Sequence, residues 1–552
     1  MYPVIMRQLA AALLTFALGL PSSPAYADAY GGSPKLVIEL VIDQFRGDYL
    51  DRYRTDFNTP SGFNLFLKRG AYFTDCYYEY ANTMTAPGHS TIGTGAYTDG
   101  HGIALNEWWD LDRSTTHPVS SVEDEQYQIV GDHTAKDIGT SPRNELASTL
   151  GDEVVLGTRG QSKLFGISLK DRAAILTSGH ASTGAFWLDH TSGHFVSSTY
   201  WGPQLPAWVQ TFNTGGRTEQ ALKEANAKPG NFYEEVGANP ASVSYLLDFA
   251  QALVAAEKLG QHETTDVLTI SISSTDILGH RVGPDAPEQR AMIDRIDVDL
   301  NSFFTWLNTQ IPGGMGSVWV SLTGDHGIGP TLSVAAADRM AAAQFNLPKA
   351  IAALDTALDD RFSPGKNVRY LLQSELPYLT LDPRAFASQK ISEQAAEDAV
   401  AELLPAAVAA SSPAEKTGRL PTRRLVRHTY TRIQMAASQL PPTPEGKRIA
   451  QSYSPNGGWY VLFTPGLYAQ TSTSGTNHYT PYSYDRHVPL AFFGSPFVPG
   501  TYHGAVEPVD IAATFASLLR VNRPSAAVGR VLTEALRPEE TASPISNKKG
   551  SR

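Results

Sequence analysis

The sequence is poor in cysteine and in long apolar segments, and it contains no block of basic residues. Its 552 residues include one cysteine, Cys76, which excludes an intramolecular disulfide and any metal site built from several cysteines. The formal net charge is −11, and without a basic block we expect no binding to nucleic acid or to an anionic membrane. A small anionic substrate is still allowed, because a site can be locally positive.

One apolar stretch, residues 8–20, has the features of a targeting segment. It follows Arg7 and precedes Ala25-Tyr26-Ala27, a small-x-small pattern typical of signal-peptide cleavage. A membrane anchor is the alternative interpretation, but the stretch is too short to span a bilayer comfortably. We therefore expect residues 1–27 to be an export signal, the destination to be the periplasm (with secretion as the alternative), and no stable membrane anchor.

Apolar runs of six to nine residues recur along the chain and are typical of buried strands. The first, Lys35–Asp43, is nearly continuous in aliphatic residues, which suits a central parallel strand covered on both faces. Similar runs occupy residues 163–168, 266–271, 318–323 and 488–493, and helix-like stretches occupy 242–259, 287–311, 391–410 and 509–519. This alternation predicts an α/β fold with a doubly wound, mostly parallel central sheet and helices on both faces.

Carboxylates and histidines follow three of the predicted strands. Asp43 ends the first strand, Asp276 and His280 follow the third, and Asp325-His326 lies between glycines after the fourth. Ligands of open α/β sheets bind outside the carboxyl ends of the strands, so these side chains should converge. Zinc accepts both imidazole and carboxylate ligands. Taken singly, each residue could instead be a helix cap or a surface histidine.

Seven motifs in a fixed order carry a resemblance to a known family. They are DQFRGDY at 43–49, TMTAPGHST at 83–91, TG at 94–95, DGHGI at 99–103, D-x3-H at 276–280, GDHG at 324–327 and GTNHYTPY at 475–482. Together they resemble the alkaline phosphatase superfamily. More narrowly, they are similar to the phosphate-irrepressible, PafA-type alkaline phosphatases, relatives of the nucleotide pyrophosphatase/phosphodiesterases. The match extends from about Leu36 to Leu519, nearly the whole chain after the expected signal.

The resemblance implies two zinc ions per chain and a role for each matched residue. One zinc would be held by Asp276, His280 and His478, and the other by Asp43, Asp325 and His326. Thr85 would contact that second ion and act as the nucleophile. His487 is an alternative to His478, but the family pattern places the ligand between Gly-Thr-x and Pro-Tyr, where His478 stands.

Asn106, Lys170 and Arg172 are the candidates for substrate binding. Asn106 lies 21 residues after Thr85, where related enzymes use an asparagine amide to bind a phosphoryl oxygen. Lys170 and Arg172 would share a face in an extended segment and resemble a pair found in the monoesterase branch. Two added cations should favour a dianionic monoester over a diester. Without the family pattern, a turn asparagine and a solvated charged turn would be the simpler interpretations.

The resemblance also implies a domain organisation. We expect a single alkaline phosphatase-like catalytic domain over residues 28–540, with insertions near 106–240 and 330–475 that cap the active site. A polar tail would occupy residues 541–552. We expect the chain to act as a monomer.

The resulting hypothesis is an exported alkaline phosphatase that releases inorganic phosphate from small organic phosphate monoesters. Thr85, activated by zinc, would be phosphorylated and then hydrolysed. A phosphodiesterase or nucleotide pyrophosphatase of the same superfamily is the main alternative, because its metal ligands would be the same. An inactive periplasmic binding relic is a non-enzymatic alternative, which is disfavoured because every expected ligand is present. A sulfatase is disfavoured because Thr85 stands where that class needs a cysteine or serine.

Overall fold

The structure describes the chain from residue 33, which follows the predicted export signal. The computed structural model describes residues 33–131, 138–340, 342–372, 375–412, 425–471 and 474–538. Within it, Pro34–Leu536 form one compact unit. The expected signal at 1–27 and the polar tail at 541–552 lie outside the described residues. None of the helices described is both long enough and apolar enough to cross a bilayer.

An eleven-stranded sheet forms the centre of this unit. In spatial order its strands are β18 (Gly500–Tyr502), β2 (Ala71–Tyr77), β17 (His487–Phe493), β11 (Val318–Thr323), β1 (Leu36–Ile42), β10 (Asp266–Ile272), β7 (Leu164–Ser168), β8 (Gly184–Leu188), β9 (Phe195–Ser198), β5 (Glu123–Val130) and β6 (Ile138–Thr140). The five strands β11, β1, β10, β7 and β8 are parallel. Every residue of β1, β10 and β11 is buried, which explains why these strands are predominantly apolar in the sequence.

Helices cover both faces of the sheet. They are α1 (Tyr49–Arg52), α2 (Asn64–Arg69), α3 (Thr85–Thr94), α4 (Thr98–His101), α5 (Leu150–Gly157), α6 (Asp171–Ser178), α7 (Ala207–Thr214), α8 (Arg217–Glu224), α9 (Phe232–Glu235), α10 (Ala241–Glu257), α11 (Ser274–Val282), α12 (Pro287–Gln310), α13 (Leu332–Ala337), α14 (Leu347–Phe362), α15 (Pro383–Ala387), α16 (Glu393–Ser411), α17 (Arg432–Ala436), α18 (Pro444–Gln451), α19 (Ser483–Arg486) and α20 (Asp510–Leu519). One face packs on α10 and α12 in a core that includes Leu40, Phe249 and Ile296. On the other face, Phe515 of α20 stacks on Trp319 of β11 with ring centroids 6.4 Å apart. The predicted doubly wound α/β fold is confirmed.

The strand predicted at 488–493 is present, but it runs against the central strands. β17 is antiparallel to β11, with Thr323 opposite Leu490. The backbone N–H of Gly327 donates to the Asp485 carbonyl at 2.7 Å, so the chain enters β17 at the edge where β11 ends. A strand that starts at this edge must run back across the sheet. The sheet is mostly parallel, as predicted, and β17 is one of its antiparallel strands.

Residues 343–470, which we call the insertion, have a sheet and a core of their own. β13 (Tyr378–Thr380), β15 (Tyr460–Pro465) and β14 (Val426–Thr431) form a three-stranded antiparallel sheet. Helices α14 and α16 contribute to a core with this sheet that includes Leu354, Val400 and Phe463. β12 (Ala343–Gln344) pairs with β16 (Ala469–Gln470) and joins the two ends of the insertion. A separate hairpin, β3 (Glu107–Trp108) with β4 (Val119–Ser120), follows α4.

Candidate active site

Thr85 is the first residue of α3, and its hydroxyl lies among buried charged groups. Pro87 occupies the first turn, where its missing N–H costs no hydrogen bond. Gly88 allows α3 to approach the end of β11, because a Cβ at this position would lie 2.4 Å from the carbonyl oxygen of Asp325. Thr85 is 2% exposed, and its Oγ1 lies 3.4 Å from Lys170 Nζ. The positive end of α3 is therefore held at the carboxyl edge of the sheet.

Asp43, Asp325 and His326 meet where β1 and β11 end, and we call them cluster A. His326 Nε2 lies 3.6 Å from Asp43 Oδ1 and 3.4 Å from Asp325 Oδ2. All three residues are fully buried, yet within the described chain these three atoms have no hydrogen-bond partner. Buried polar atoms normally have partners, so cluster A has the properties of a cation site.

Asp276, His280 and His478 form a second group, cluster B. Asp276 and His280 are one turn apart on α11, and His280 Nε2 lies 3.1 Å from Asp276 Oδ1. His478 Nε2 lies 3.2 Å from His280 Nε2 and 3.5 Å from Asp276 Oδ1. Tetrahedral zinc with bonds of about 2.0 Å holds its ligand atoms about 3.3 Å apart, so these separations fit one zinc ion.

The two clusters adjoin through stacked histidine rings. The centroids of His326 and His478 are 3.6 Å apart. Ligand atoms of Asp276, His326 and His478 also lie within 4.8 Å of one another, so His326 is within reach of both clusters. The structure thus brings all six ligands predicted from the sequence together, five of them buried and His280 partly exposed.

Backbone carbonyls fix the orientation of the three histidines. The Nδ1 atoms of His326, His280 and His478 lie 3.0, 3.0 and 2.7 Å from the carbonyl oxygens of Gly327, Thr476 and Thr83. A carbonyl only accepts, so each Nδ1 donates and each Nε2 keeps its lone pair on the cluster side. Burial lowers the pKa of His326 to about 3, which favours the neutral, ligating form. Metal-binding histidines are commonly oriented in this way.

His487, the alternative ligand, lies away from both clusters. It begins β17, its Nε2 lies 2.9 Å from the carbonyl oxygen of Thr74, and its ring stacks on Tyr77 with centroids 4.5 Å apart. His478, in the loop before α19, reaches cluster B instead. The geometry therefore favours the histidine that the sequence pattern also favours.

Lys170 joins the two clusters electrostatically. Its Nζ lies 2.6 Å from Asp43 Oδ2 and 2.6 Å from Asp276 Oδ2, and its side chain is 3% exposed. Burial disfavours its charge, but the two carboxylates raise the pKa of Lys170 above its usual value. Burial also opposes ionisation of Asp276, yet Lys170 lowers the pKa of that carboxyl. Burial, together with repulsion from the neighbouring carboxylates, raises the pKa of Asp43. This pocket therefore strongly favours bound positive charge.

Asn106 and Arg172 lie at the same pocket. The backbone N–H of Ala86 donates to Asn106 Oδ1 at 3.0 Å, which fixes the asparagine beside the first turn of α3. Burial disfavours the charge of Arg172, but acidic neighbours that include Asp171 and Asp43 raise its pKa. Of the three residues predicted to bind substrate, Lys170 therefore contacts both clusters, Asn106 contacts the residue after Thr85, and Arg172 is near enough to Asp43 for their charges to interact.

Gln44 is a residue of the site that the sequence analysis did not identify. Its Nε2 donates to Asp276 Oδ1 at 2.6 Å, and its backbone N–H donates to Asp325 Oδ1 at 2.9 Å. Its φ of 62° is unusual for a residue other than glycine. Gly279 leaves room for its side chain, because a Cβ there would lie 1.9 Å from Gln44 Oε1. Its signal in the sequence is its place in the motif at 43–49, directly after Asp43.

Comparison with known proteins identifies the family. The family described as type I phosphodiesterase / nucleotide pyrophosphatase matches residues 37–465. The chain belongs to this family of the alkaline phosphatase superfamily, and it is a hydrolase of the phosphatase and phosphodiesterase type.

Its relatives include named alkaline phosphatases. Alkaline phosphatase PafA of Elizabethkingia meningoseptica is 30% identical over 545 residues, which covers 91% of this chain and 94% of that protein. Alkaline phosphatase PhoV of Synechococcus elongatus is 30% identical over 542 residues, which covers 91% and 93%. The crystal structure of wild-type PafA matches with a TM-score of 0.81 at 30% identity, covering 92% of this chain and 99% of that one. The resemblance to the superfamily is confirmed.

Proposed function

We propose that this protein is a zinc-dependent phosphomonoesterase that releases inorganic phosphate from small organic phosphate esters through a phosphothreonine at Thr85. One observation carries the proposal: the Thr85 hydroxyl lies beside the Lys170 ammonium, which contacts Asp43 of cluster A and Asp276 of cluster B. The pocket then holds Thr85 as the nucleophile and Lys170 as a cation that can bind phosphate. The metal ions proposed for the two clusters would supply the charge that activates Thr85.

The clusters have donor atoms that suit zinc. Each offers carboxylate oxygen and imidazole nitrogen, and among the described residues Asp43 Oδ1, Asp325 Oδ2 and His326 Nε2 of cluster A have no hydrogen-bond partner. Two bound ions would supply positive charge that favours the ionised Thr85 hydroxyl and stabilises the attacking and leaving oxygens. The proposed ligands are Asp43, Asp325 and His326 for one ion, with Thr85 against it, and Asp276, His280 and His478 for the other.

Thr85 supplies the covalent chemistry. Its Oγ attacks phosphorus in line, the Oγ–P bond forms, and the bond from phosphorus to the leaving oxygen breaks. Thr85 gives up its hydroxyl proton to solvent as it attacks, and the leaving alkoxide takes up a proton from solvent. A water then attacks the phosphothreonine, the bond from phosphorus to Thr85 Oγ breaks, inorganic phosphate leaves, and the proton that this water loses returns to Thr85. The N-terminus of α3 faces the charge that develops on the phosphoryl group.

Lys170 and Arg172 favour a monoester over a diester. A phosphate monoester has one more negatively charged oxygen than a diester, and neighbouring cations stabilise that added charge. Lys170 Nζ is close enough to Thr85 Oγ1, at 3.4 Å, to contact a phosphoryl group bonded there. A phosphodiesterase is the second candidate function, because the matched family is described by that activity.

A substrate panel on metal-analysed protein tests the proposal. We expect two zinc ions per chain, loss of turnover on chelation, and a higher kcat/KM for p-nitrophenyl phosphate than for bis-p-nitrophenyl phosphate. A higher value for the diester would favour the phosphodiesterase. Zinc-loaded protein that hydrolyses neither compound would favour the binding relic.

Export and a monomeric state are part of the proposal. Export rests on the sequence pattern of residues 1–27, with cleavage after Ala27. Fractionation of expressing cells, with sequencing of the mature N-terminus, should find the cleaved chain in the periplasm. Light scattering of the purified protein should give the mass of one chain.

A further inference from the structure

Glu375 is a carboxylate that the insertion places beside Asn106. It lies just before β13, and its Oε1 accepts a hydrogen bond from Asn106 Nδ2 at 3.3 Å. Its Oε2 accepts from the backbone N–H of Glu107 at 3.4 Å. One side chain of the insertion thus contacts two consecutive residues at the start of the β3–β4 hairpin.

These contacts hold the amide of Asn106 at both ends. Its Oδ1 accepts the N–H of Ala86 at 3.0 Å, so its nitrogen must point towards Glu375. The amide nitrogen carries two hydrogens, and Glu375 engages one of them. The other can donate to a phosphoryl oxygen. Removing Glu375 would allow the amide to rotate about its last side-chain bond.

Near neutral pH, Glu375 can carry the negative charge that makes it a strong hydrogen-bond acceptor for Asn106. Burial raises its pKa to about 7, Glu107 of β3 acts in the same direction, and Arg172 of α6 opposes the shift. An ionised carboxylate accepts a hydrogen bond more strongly than a protonated one. The same negative charge would repel a phosphate dianion, so Glu375 is unsuited to bind the substrate phosphate itself.

We propose that Glu375 is a positioning residue that orients Asn106 towards the phosphate and joins the insertion to the first turn of α3. The inference rests on the proposed role of Asn106 in binding substrate. Glu375 acts through Asn106, and its effect should disappear when Asn106 is absent.

A double-mutant cycle with p-nitrophenyl phosphate tests this positioning role. We expect Asn106→Ala to lower kcat/KM by roughly 10- to 100-fold, in line with loss of a hydrogen bond to a charged group. Glu375→Ala should lower it by about tenfold alone and by less than about twofold in the Asn106→Ala background, because the two residues act as one unit. Glu375→Gln keeps an acceptor oxygen, so it should retain activity within about threefold of wild type, and it should lack any part of a rise in kcat/KM between pH 6 and 8 that comes from ionisation of Glu375.

The outcomes separate this inference from the proposed function. Glu107→Gln, at the exposed neighbouring carboxylate, is the matched control, and it should leave kcat/KM unchanged at pH 8.5, where Glu375 is ionised with or without the Glu107 charge. If Asn106→Ala has no effect, the role of Asn106 in the proposed function fails. If Asn106→Ala is impaired but Glu375→Ala has full activity, or the two losses multiply, the positioning role fails. Melting temperatures of all variants show whether a loss comes from unfolding.

Discussion

The central sheet and the insertion contribute to the site in different ways. The sheet delivers Asp43, Asp325 and His326 directly after parallel strands β1 and β11, and Asp276 and His280 on the helix that follows β10. Open α/β sheets bring these positions together as a consequence of their topology. The insertion has its own antiparallel sheet and core, and its contribution depends on the particular path of the chain. The site thus combines a frame set by topology with elements set by the insertion.

His478 shows what this difference means for function. Among the six proposed metal ligands, it alone comes from the segment that returns from the insertion to β17. Its imidazole contacts His280 at 3.2 Å and stacks on His326, so it completes a pocket that the sheet has already assembled. The sheet residues should therefore define where metal binds, and residues linked to the insertion should adjust affinity and substrate binding.

Of the substitutions in the part of the site that the sheet positions, Thr85→Ala should lower catalytic activity most. Removing the nucleophile should lower kcat by more than about 1,000-fold, while the metal content stays the same because six other ligands are proposed. Thr85→Ser keeps a hydroxyl and should retain much more activity than Thr85→Ala. Acid-quenched reactions, analysed by mass spectrometry, should contain a phosphorylated residue 85 only when it carries a hydroxyl. Normal turnover by Thr85→Ala would mean that Thr85 is not the nucleophile.

His478→Ala tests the ligand that lies beyond the insertion. We expect metal affinity to fall by at least about 100-fold and the melting temperature to become less sensitive to chelation, because bound metal adds its binding free energy to folding. His487→Ala is the matched control, since His487 contacts Thr74 and Tyr77 outside the clusters. It should keep full metal content. The opposite pattern would transfer the ligand role to His487.

Lys170→Ala should separate monoester from diester hydrolysis. Loss of a buried ammonium should lower kcat/KM for p-nitrophenyl phosphate by roughly 100-fold, and that for bis-p-nitrophenyl phosphate by roughly tenfold. Lys163→Ala is the control, because its Nζ pairs with Glu257 Oε2 at 2.6 Å in a partly exposed ion pair. It should change neither rate. Equal losses of kcat/KM for the two substrates in Lys170→Ala would mean that Lys170 does not favour monoesters over diesters.

The sheet and its helices were largely predictable from the sequence. The strand predicted at 318–323 is β11, Val318–Thr323, and the helix predicted at 391–410 is α16, Glu393–Ser411. Both follow from local patterns of apolar residues. The direction of β17 did not follow, because an apolar run gives the same signal in parallel and antiparallel strands. Long-range contacts such as that between Gly327 and Asp485 show at which edge the chain enters β17.

The site was predictable only where it follows from strand ends or family motifs. Glu375 gave no signal, because it contacts Asn106 across 269 residues and lies in no motif. The resemblance to the monoesterase branch implied that Lys170 is a cation at the site, but it could not show that the ammonium bridges Asp43 and Asp276. Such contacts depend on the paths of distant loops, which local periodicity does not describe.

Two buried glutamates, one in each region, extend the comparison from function to stability. Glu39 lies in the middle of β1, fully buried, and within the described residues neither carboxyl oxygen has a hydrogen-bond partner. Burial raises its pKa to about 8. Glu397 of α16 is its counterpart in the insertion, where burial also raises the pKa to about 8, although its Oε2 accepts the N–H of Ile433 at 3.2 Å.

Glu39→Gln should change the pH dependence of stability and leave turnover unaffected. Because the folded pKa of Glu39 is raised above the ordinary value of 4.5, the folded state keeps a proton that the unfolded state loses between about pH 4.5 and 8. The free energy of unfolding therefore falls as pH rises through this window and then levels off. The variant removes this contribution, so its stability relative to wild type should increase from pH 5 to 8.5, with an upper limit of about 5 kcal/mol at 1.36 kcal/mol per pKa unit. Urea unfolding at the two pH values measures the difference, and a difference that does not vary with pH would mean that Glu39 ionises normally.

Glu397→Gln should shift the same transition in the same direction if the sheet and the insertion unfold together, whereas an effect confined to a separate transition would show that the insertion unfolds independently.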